Sequence, residues 1–310
     1  MKSRVPVREW THFASHLEGP GFALFQRELT KFNRRRLDPE LPYATWREAL
    51  DDEHQVLIAE GEFIEAVRKR TRPLVSGIPS DVDGFIAWFE ALRDGGPGQG
   101  DPLFPWLESE ASLEQIKWFI EQEVAGEAGF DDLLAMTQVK MPEQAKLEMA
   151  SNYWDEMGRG KSKGMHGPML ERLARYLEVD PTPDTVIPEA LALGNTMIAL
   201  AHSRRYAFHS IGALGVIEMT APTRAGHVDR GLRRLRIPAK KRHYFNLHAV
   251  LDVRHSETWN REVLRPLVAE DPRRAQAIGE GAVLRLWHGV QCFNRYREKF
   301  ELSASNRRAA

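Results

Sequence analysis

His248-Ala-Val-Leu-Asp252-Val-Arg-His255 carries three metal-ligand side chains at i, i+4 and i+7, which share one face if the segment is helical. Packing alone gives a helix no reason to place two imidazoles and a carboxylate on one face. Two histidines and a carboxylate suit iron, manganese or zinc, and with open positions they form a known non-haem iron arrangement. The competing reading is a solvated polar face, so the segment gains weight only if other acids and imidazoles converge on it.

Outside this segment, apolar residues recur with 3.6-residue spacing along nearly every long stretch, and alternating β-branched runs of strand length are hard to find. The expectation is an all-α protein. Helices are expected near 20–33, 46–72, 80–93, 112–136, 142–158, 166–177, 187–220 with a break, 223–235, 239–269 with a bend, and 272–301. Pro73, Pro142, Pro188, Pro222, Pro238 and Pro272 fall near these ends, where fixed φ and a missing N–H are tolerated. Ser112-Leu-Glu-Gln115 has the pattern of a capping box. The Gly/Pro-rich run from Asp94 to Pro102 can bury little apolar surface and reads as a linker. It divides the chain into an N-terminal helical extension, 1–100, and a main helical domain, 101–310. No internal repeat points to a solenoid.

The 43 Lys+Arg and 44 Asp+Glu nearly cancel, which removes any global electrostatic case for nucleic acid or an anionic membrane. No run of about 18 apolar residues spans a bilayer, and Met-Lys-Ser-Arg-Val-Pro-Val-Arg lacks the apolar stretch of a secretory signal. The single cysteine, Cys292, excludes an intrachain disulfide framework and a cysteine metal cluster. These features lead us to expect a soluble cytoplasmic protein with a small-molecule substrate and no nucleic-acid or membrane partner. A homodimer is expected, since helical proteins of this size often pair symmetrically.

Three further stretches hold chemistry. Glu218 shares a helical face with Ile211, Leu214 and Gly215, and a buried carboxylate needs a cation, a hydrogen-bond network or a metal. The competing partner is Arg204 or Arg205. Glu156 and His166 stand ten residues apart in Asn152-Tyr-Trp-Asp-Glu-Met-Gly-Arg-Gly-Lys-Ser-Lys-Gly-Met-His166. Ideal helix geometry does not align them, but the glycines at 158, 160 and 164 permit a distortion or break that turns both inward. Glu123 and Glu127 intrude into the stripe Ile116, Phe119, Ile120, Phe130, Leu134. Glu123 is an additional candidate ligand or outer acceptor, and its alternative is a solvated stripe edge. Glu156, His166, Glu218, His248, Asp252 and His255 form the main set, and six such ligands imply two metals in a helical bundle.

With these residues in hand, the chain resembles the haem-oxygenase-like diiron oxidases and oxygenases, a group also described as iron-containing redox enzymes, over roughly residues 110–300. The likeness rests on Asn152-Tyr-Trp-Asp-Glu-Met-Gly-Arg-Gly with His166, on Gly212-Ala-Leu-Gly-Val-Ile-Glu218, and on Asn246-Leu-His248-Ala-Val-Leu-Asp252-Val-Arg-His255. It implies a haem-oxygenase-like multi-helix bundle without haem. It further implies that Glu156 and His166 come from one core helix, Glu218 from a second, and His248, Asp252 and His255 from a third. Together these would hold two Fe(II) ions, with manganese as the alternative metal. Position 248 is His where some relatives have Asp, which bears on the second iron. The implied activity is O₂ activation to oxidise an amine, amino acid or fatty acid, with an external electron donor. The fold by itself does not choose the reaction.

Other classes stay open at this level: a metal-independent helical protein of the thiaminase or quinone-cofactor-biosynthesis type, and a non-catalytic helical binding protein. The first needs a nucleophilic cysteine, and Cys292 lies in an apolar segment, Leu286-Trp-His-Gly-Val-Gln-Cys-Phe293. Arg204, Arg205, Arg224, Arg230, Arg233, Arg234, Arg236, Lys240, Lys241 and Arg242 crowd the same region. They read either as a grip for a substrate carboxylate or as a solvated basic face.

Overall fold

The computed structural model describes residues 5–41, 44–126 and 129–302, and no strand occurs among them. The fold is all-α. The α-helices are α1 (Val7–Trp10), α2 (Gly19–Leu37), α3 (Trp46–Thr71), α4 (Val82–Gly95), α5 (Leu103–Ser109), α6 (Leu113–Gly126), α7 (Phe130–Thr137), α8 (Glu143–Glu156), α9 (His166–Leu177), α10 (Pro188–His202), α11 (Ala207–Arg234), α12 (His243–Thr258), α13 (Arg265–Glu270) and α14 (Arg274–Lys299).

Local chemistry sets several boundaries. At the start of α6 the Ser112 N–H donates to Gln115 Oε1 (2.8 Å) and the Gln115 N–H donates to Ser112 Oγ (3.3 Å), the reciprocal pair of a capping box. The single helix expected over 112–136 is two, because Gly129 adopts φ +68° ahead of α7. Glu127 lies outside the described residues. The bend expected within 239–269 is a π-helical turn, Trp259–Leu264, between α12 and α13.

Pro222 sits inside α11 and does not separate two helices. Its ring removes the N–H that would otherwise bond the Glu218 carbonyl. The helix persists because both flanking stretches are anchored: Ile211, Leu214 and Met219 in one apolar cluster, Ala225, Val228 and Leu232 in another.

These two clusters organise the bundle. In the first, Trp10, Phe25, Phe63 and Phe89 from the first hundred residues pack with Leu214, Trp259 and Ile278. In the second, Phe104, Phe119 and Leu173 pack with Val228, Phe293 and Tyr296. Helices α11 and α14 contribute to both. They approach closely at Gly212, where an added Cβ would meet the Ile278 carbonyl oxygen at 1.7 Å. Glu218 therefore sits where α11 passes from one cluster to the other, with α12 packed alongside.

Candidate metal centre

The six residues of the main set come together as two triads. Donor atoms of Glu156, His166 and His248 lie within 4.8 Å of one another, and so do those of Glu218, Asp252 and His255. All are buried except His248, which is partly so. His248 Nδ1 lies 3.0 Å from both Asp252 oxygens, which joins the triads. The His248 and His166 rings meet edge to face at 4.8 Å.

Helix geometry explains part of this convergence. On α12, positions 248, 252 and 255 share a face, as the i, i+4, i+7 spacing requires. Glu156 and His166, in contrast, do not share a helix: Glu156 is the last residue of α8 and His166 the first of α9. The connection reverses through Gly158 at φ +60°, where a Cβ would lie 2.3 Å from the backbone of Gly164. A residue with a side chain cannot make that approach, so the chain breaks the helix there and brings both side chains inward.

Two residues support the set from outside, and neither was given a role from sequence. Asn152 Nδ2 donates to Glu218 Oε1 at 2.7 Å. His255 Nε2 lies 3.2 Å from Asp155 Oδ2, while His255 Nδ1 faces Glu218 Oε2 at 3.5 Å. A carboxylate on the outer nitrogen orients an imidazole and leaves its other lone pair for a metal. The signal for Asn152 was present, since it stands at i−4 from Glu156 on the same face. Asp155 shows no such pattern; its visible link is to Arg159, four residues on.

Glu218 makes no ion pair with Arg204 or Arg205. Arg204 donates instead to the carbonyls of Met136, Thr137 and Val139. Glu123 belongs to neither triad; it accepts a hydrogen bond from Tyr296 at 3.1 Å. Burial pushes its pKa up against the pull of Arg285.

The electrostatics of the triads are those of titratable groups crowded in a dry interior. Burial pushes the Asp252 carboxyl up to about 6; His248 pulls it down, and Glu218 and Glu156 push it further up. Burial opposes the charge of His255, but Glu218, Asp155 and Asp252 prevail and raise it to about 9. His166 Nδ1 lies 2.8 Å from Glu156 Oε2 without hydrogen-bond alignment, and His255 Nδ1 is likewise buried without a hydrogen bond. Buried nitrogens facing carboxylates in this way fit a shared cation better than they fit one another.

A family model described as an iron-containing redox enzyme matches residues 117–290, more than half of the 310-residue chain. The chain belongs to the iron-containing redox enzyme family. No curated protein matches it. The family's matched span includes all six residues, and their donor chemistry of carboxylate and imidazole is one that iron accepts. As a member of this family the chain is an oxidoreductase.

Five of the six, all but His255, line a cavity of about 140 Å³. Burial, reinforced by Glu123, pushes the Cys292 thiol well above its ordinary range, so it is no activated nucleophile. No helix among the described residues is long and apolar enough to cross a membrane.

Proposed function

We propose that this chain is a non-haem diiron oxidase or oxygenase that activates O₂ to oxidise a small organic substrate of the amine, amino-acid or fatty-acid type. The carrying observation is that six side chains spread over 100 positions of sequence meet as two adjacent triads. Three carboxylates offset three of the four positive charges of two divalent ions, and with three imidazoles they leave positions for other ligands. The family's iron favours iron over zinc, and manganese suits the same donors.

Glu156, His166 and His248 would hold one ion and Glu218, Asp252 and His255 the other. When bound, the pair supplies the electrons and the Lewis acidity for reaction with O₂. The protein's own part is positional. Asn152 fixes Glu218, Asp155 turns His255, and the cavity walls Phe119, Leu170 and Ile217 keep water from the reacting face. Repeated turnover draws on an external electron donor, and the proposal places the enzyme in the cytoplasm as a homodimer.

Anaerobic reconstitution of the full chain with Fe(II), followed by iron counting, tests the centre. We expect about two irons per chain and O₂ uptake that a substrate from a panel of amino acids, amines and fatty acids accelerates. A chain that retains no iron after desalting would sink the proposal.

A further inference from the structure

The cavity that the candidate ligands line also holds two arginines, Arg224 on α11 and Arg285 on α14. Neither makes an ion pair among the described residues. Arg224 donates to Thr220 Oγ1 at 2.7 Å, and its guanidinium lies 5.6 Å from the Phe293 ring centre and 6.0 Å from that of Phe104. The Nε of Arg285 is buried with no hydrogen-bond partner. The nearby acid, Glu123, is bonded to Tyr296 and pushed by burial toward its neutral form. The cavity also holds Asp131 and the carboxylates of the two triads, but the acid that acts on Arg224 is Glu123, so its arginine end carries two cations against at most one negative charge. Such an excess is costly unless an anion joins it.

Register shows where that anion would sit. On α11 the cavity-lining residues Ile217, Ala221, Arg224 and Val228 recur at i, i+4, i+7 and i+11, one continuous face. On α14, Arg285, Gly289, Cys292 and Tyr296 repeat the pattern. Arg224 stands six residues beyond Glu218, roughly 9 Å along the helix axis. Apolar side chains, Phe104, Phe119, Leu193 and Ile217 among them, line the same cavity.

We infer that Arg224 and Arg285 form a carboxylate-binding subsite, which holds the acid group of the substrate away from the six-residue centre and presents its apolar body to that centre. The guanidinium fork matches a carboxylate in two parallel hydrogen bonds, and an amide or alcohol cannot balance the pair's charge. Burial, together with Arg285, draws Arg224 down to about 9, so it is cationic at neutral pH and gains from a counter-charge. A cavity near 140 Å³ compares with the ~150 Å³ that admits benzene, which selects a short acid. The inference rests on the proposed function for the identity of the reacting end, and it narrows the substrate to a small carboxylic acid.

Calorimetric titration of the full chain, metal-free and Fe(II)-loaded, with straight-chain carboxylates from acetate to octanoate and their primary amides tests it. At least one acid should bind about tenfold or more tighter than its amide, the scale of a charged hydrogen bond. Arg224→Gln and Arg285→Gln, checked for folding by circular dichroism, should each abolish that preference. In the metal-free chain His255→Ala should leave it intact. Equal binding of acid and amide, or no acid binding at all, overturns the subsite. So does acid binding that requires iron and survives both arginine variants, for the acid would then be a metal ligand. Arginine-dependent acid binding by a chain that holds no iron would overturn the diiron reading alone.

Discussion

The two triads are built from the same kinds of side chain but by different means. Glu218, Asp252 and His255 project from the interiors of α11 and α12, are all buried, and have outer partners in Asn152 and Asp155. Of Glu156, His166 and His248, two stand at helix termini joined by a glycine-dependent reversal, and the third is only partly buried beside Tyr244. One triad is positioned by helix geometry and the other by a loop. A metal site needs its donors held to a fraction of an ångström, so the Glu218 triad should be the tighter of the two.

Alanine at the proposed ligands should give the largest effects and can break this comparison. Asp252 touches both triads through its 3.0 Å contact with His248. Asp252→Ala should therefore take iron from about two per chain to well below one, and His255→Ala to about one. Helicity measured by circular dichroism should hardly change, because neither variant empties apolar core volume. Loss of a buried acid can even stabilise the metal-free chain by relieving carboxylate repulsion. Unchanged iron in both variants would end the assignment.

The loop itself can be tested next. Gly158→Ala forces a Cβ to within 2.3 Å of Gly164 at a left-handed φ, a strain of about 1–3 kcal/mol. It should weaken iron binding at the Glu156 triad about tenfold or more while sparing the other. Gly61→Ala is the control: the position is helical with nothing near its Cβ, so it should stabilise by up to about 1 kcal/mol without changing iron. Equal weakening of both sites by Gly158→Ala would refute the division into helix-held and loop-held triads.

This division also marks what the sequence could disclose. The 248–255 face and the buried Glu218 were legible because ligand spacing and apolar spacing are both properties of a single helix. The Glu156/His166 pair was legible as composition, but its placement on two helices was not, since the reversal depends on Gly158 meeting Gly164. Asp155 escaped notice for a related reason: its partner His255 is 100 residues away, and only docking of α8 on the π-helical turn that follows α12 brings them together. Pro222 misled as a helix boundary because flanking core contacts, invisible locally, hold α11 through it. Glu123 was visible as an acid in an apolar stripe, but its partner Tyr296 lies on α14.

The smallest effect separates acid damage to the centre from acid damage to the fold. Helices α11 and α14 also carry an ion cluster remote from the triads. Glu280 Oε2 accepts from Arg68 Nη2 at 2.7 Å and from Arg68 Nε at 2.9 Å, and lies 3.2 Å from His209 Nε2. Burial works against the Glu280 charge, yet His209, Gln276 and Arg68 together hold its pKa down to about 2, from an ordinary 4.5. A folded-state pKa below the unfolded value means the stabilisation is complete above 4.5 and is lost as pH falls toward 2. Allowing for partial solvent screening, Glu280→Gln should cost about 1–2 kcal/mol near pH 7. The deficit should fall by more than half by about pH 3, read from urea unfolding of the metal-free chain. Iron stoichiometry near pH 7 should stay the same. A deficit that does not shrink on acidification would mean that Glu280 acts through packing and not charge, and a loss of iron would mean that the cluster and the triads are one cooperative unit.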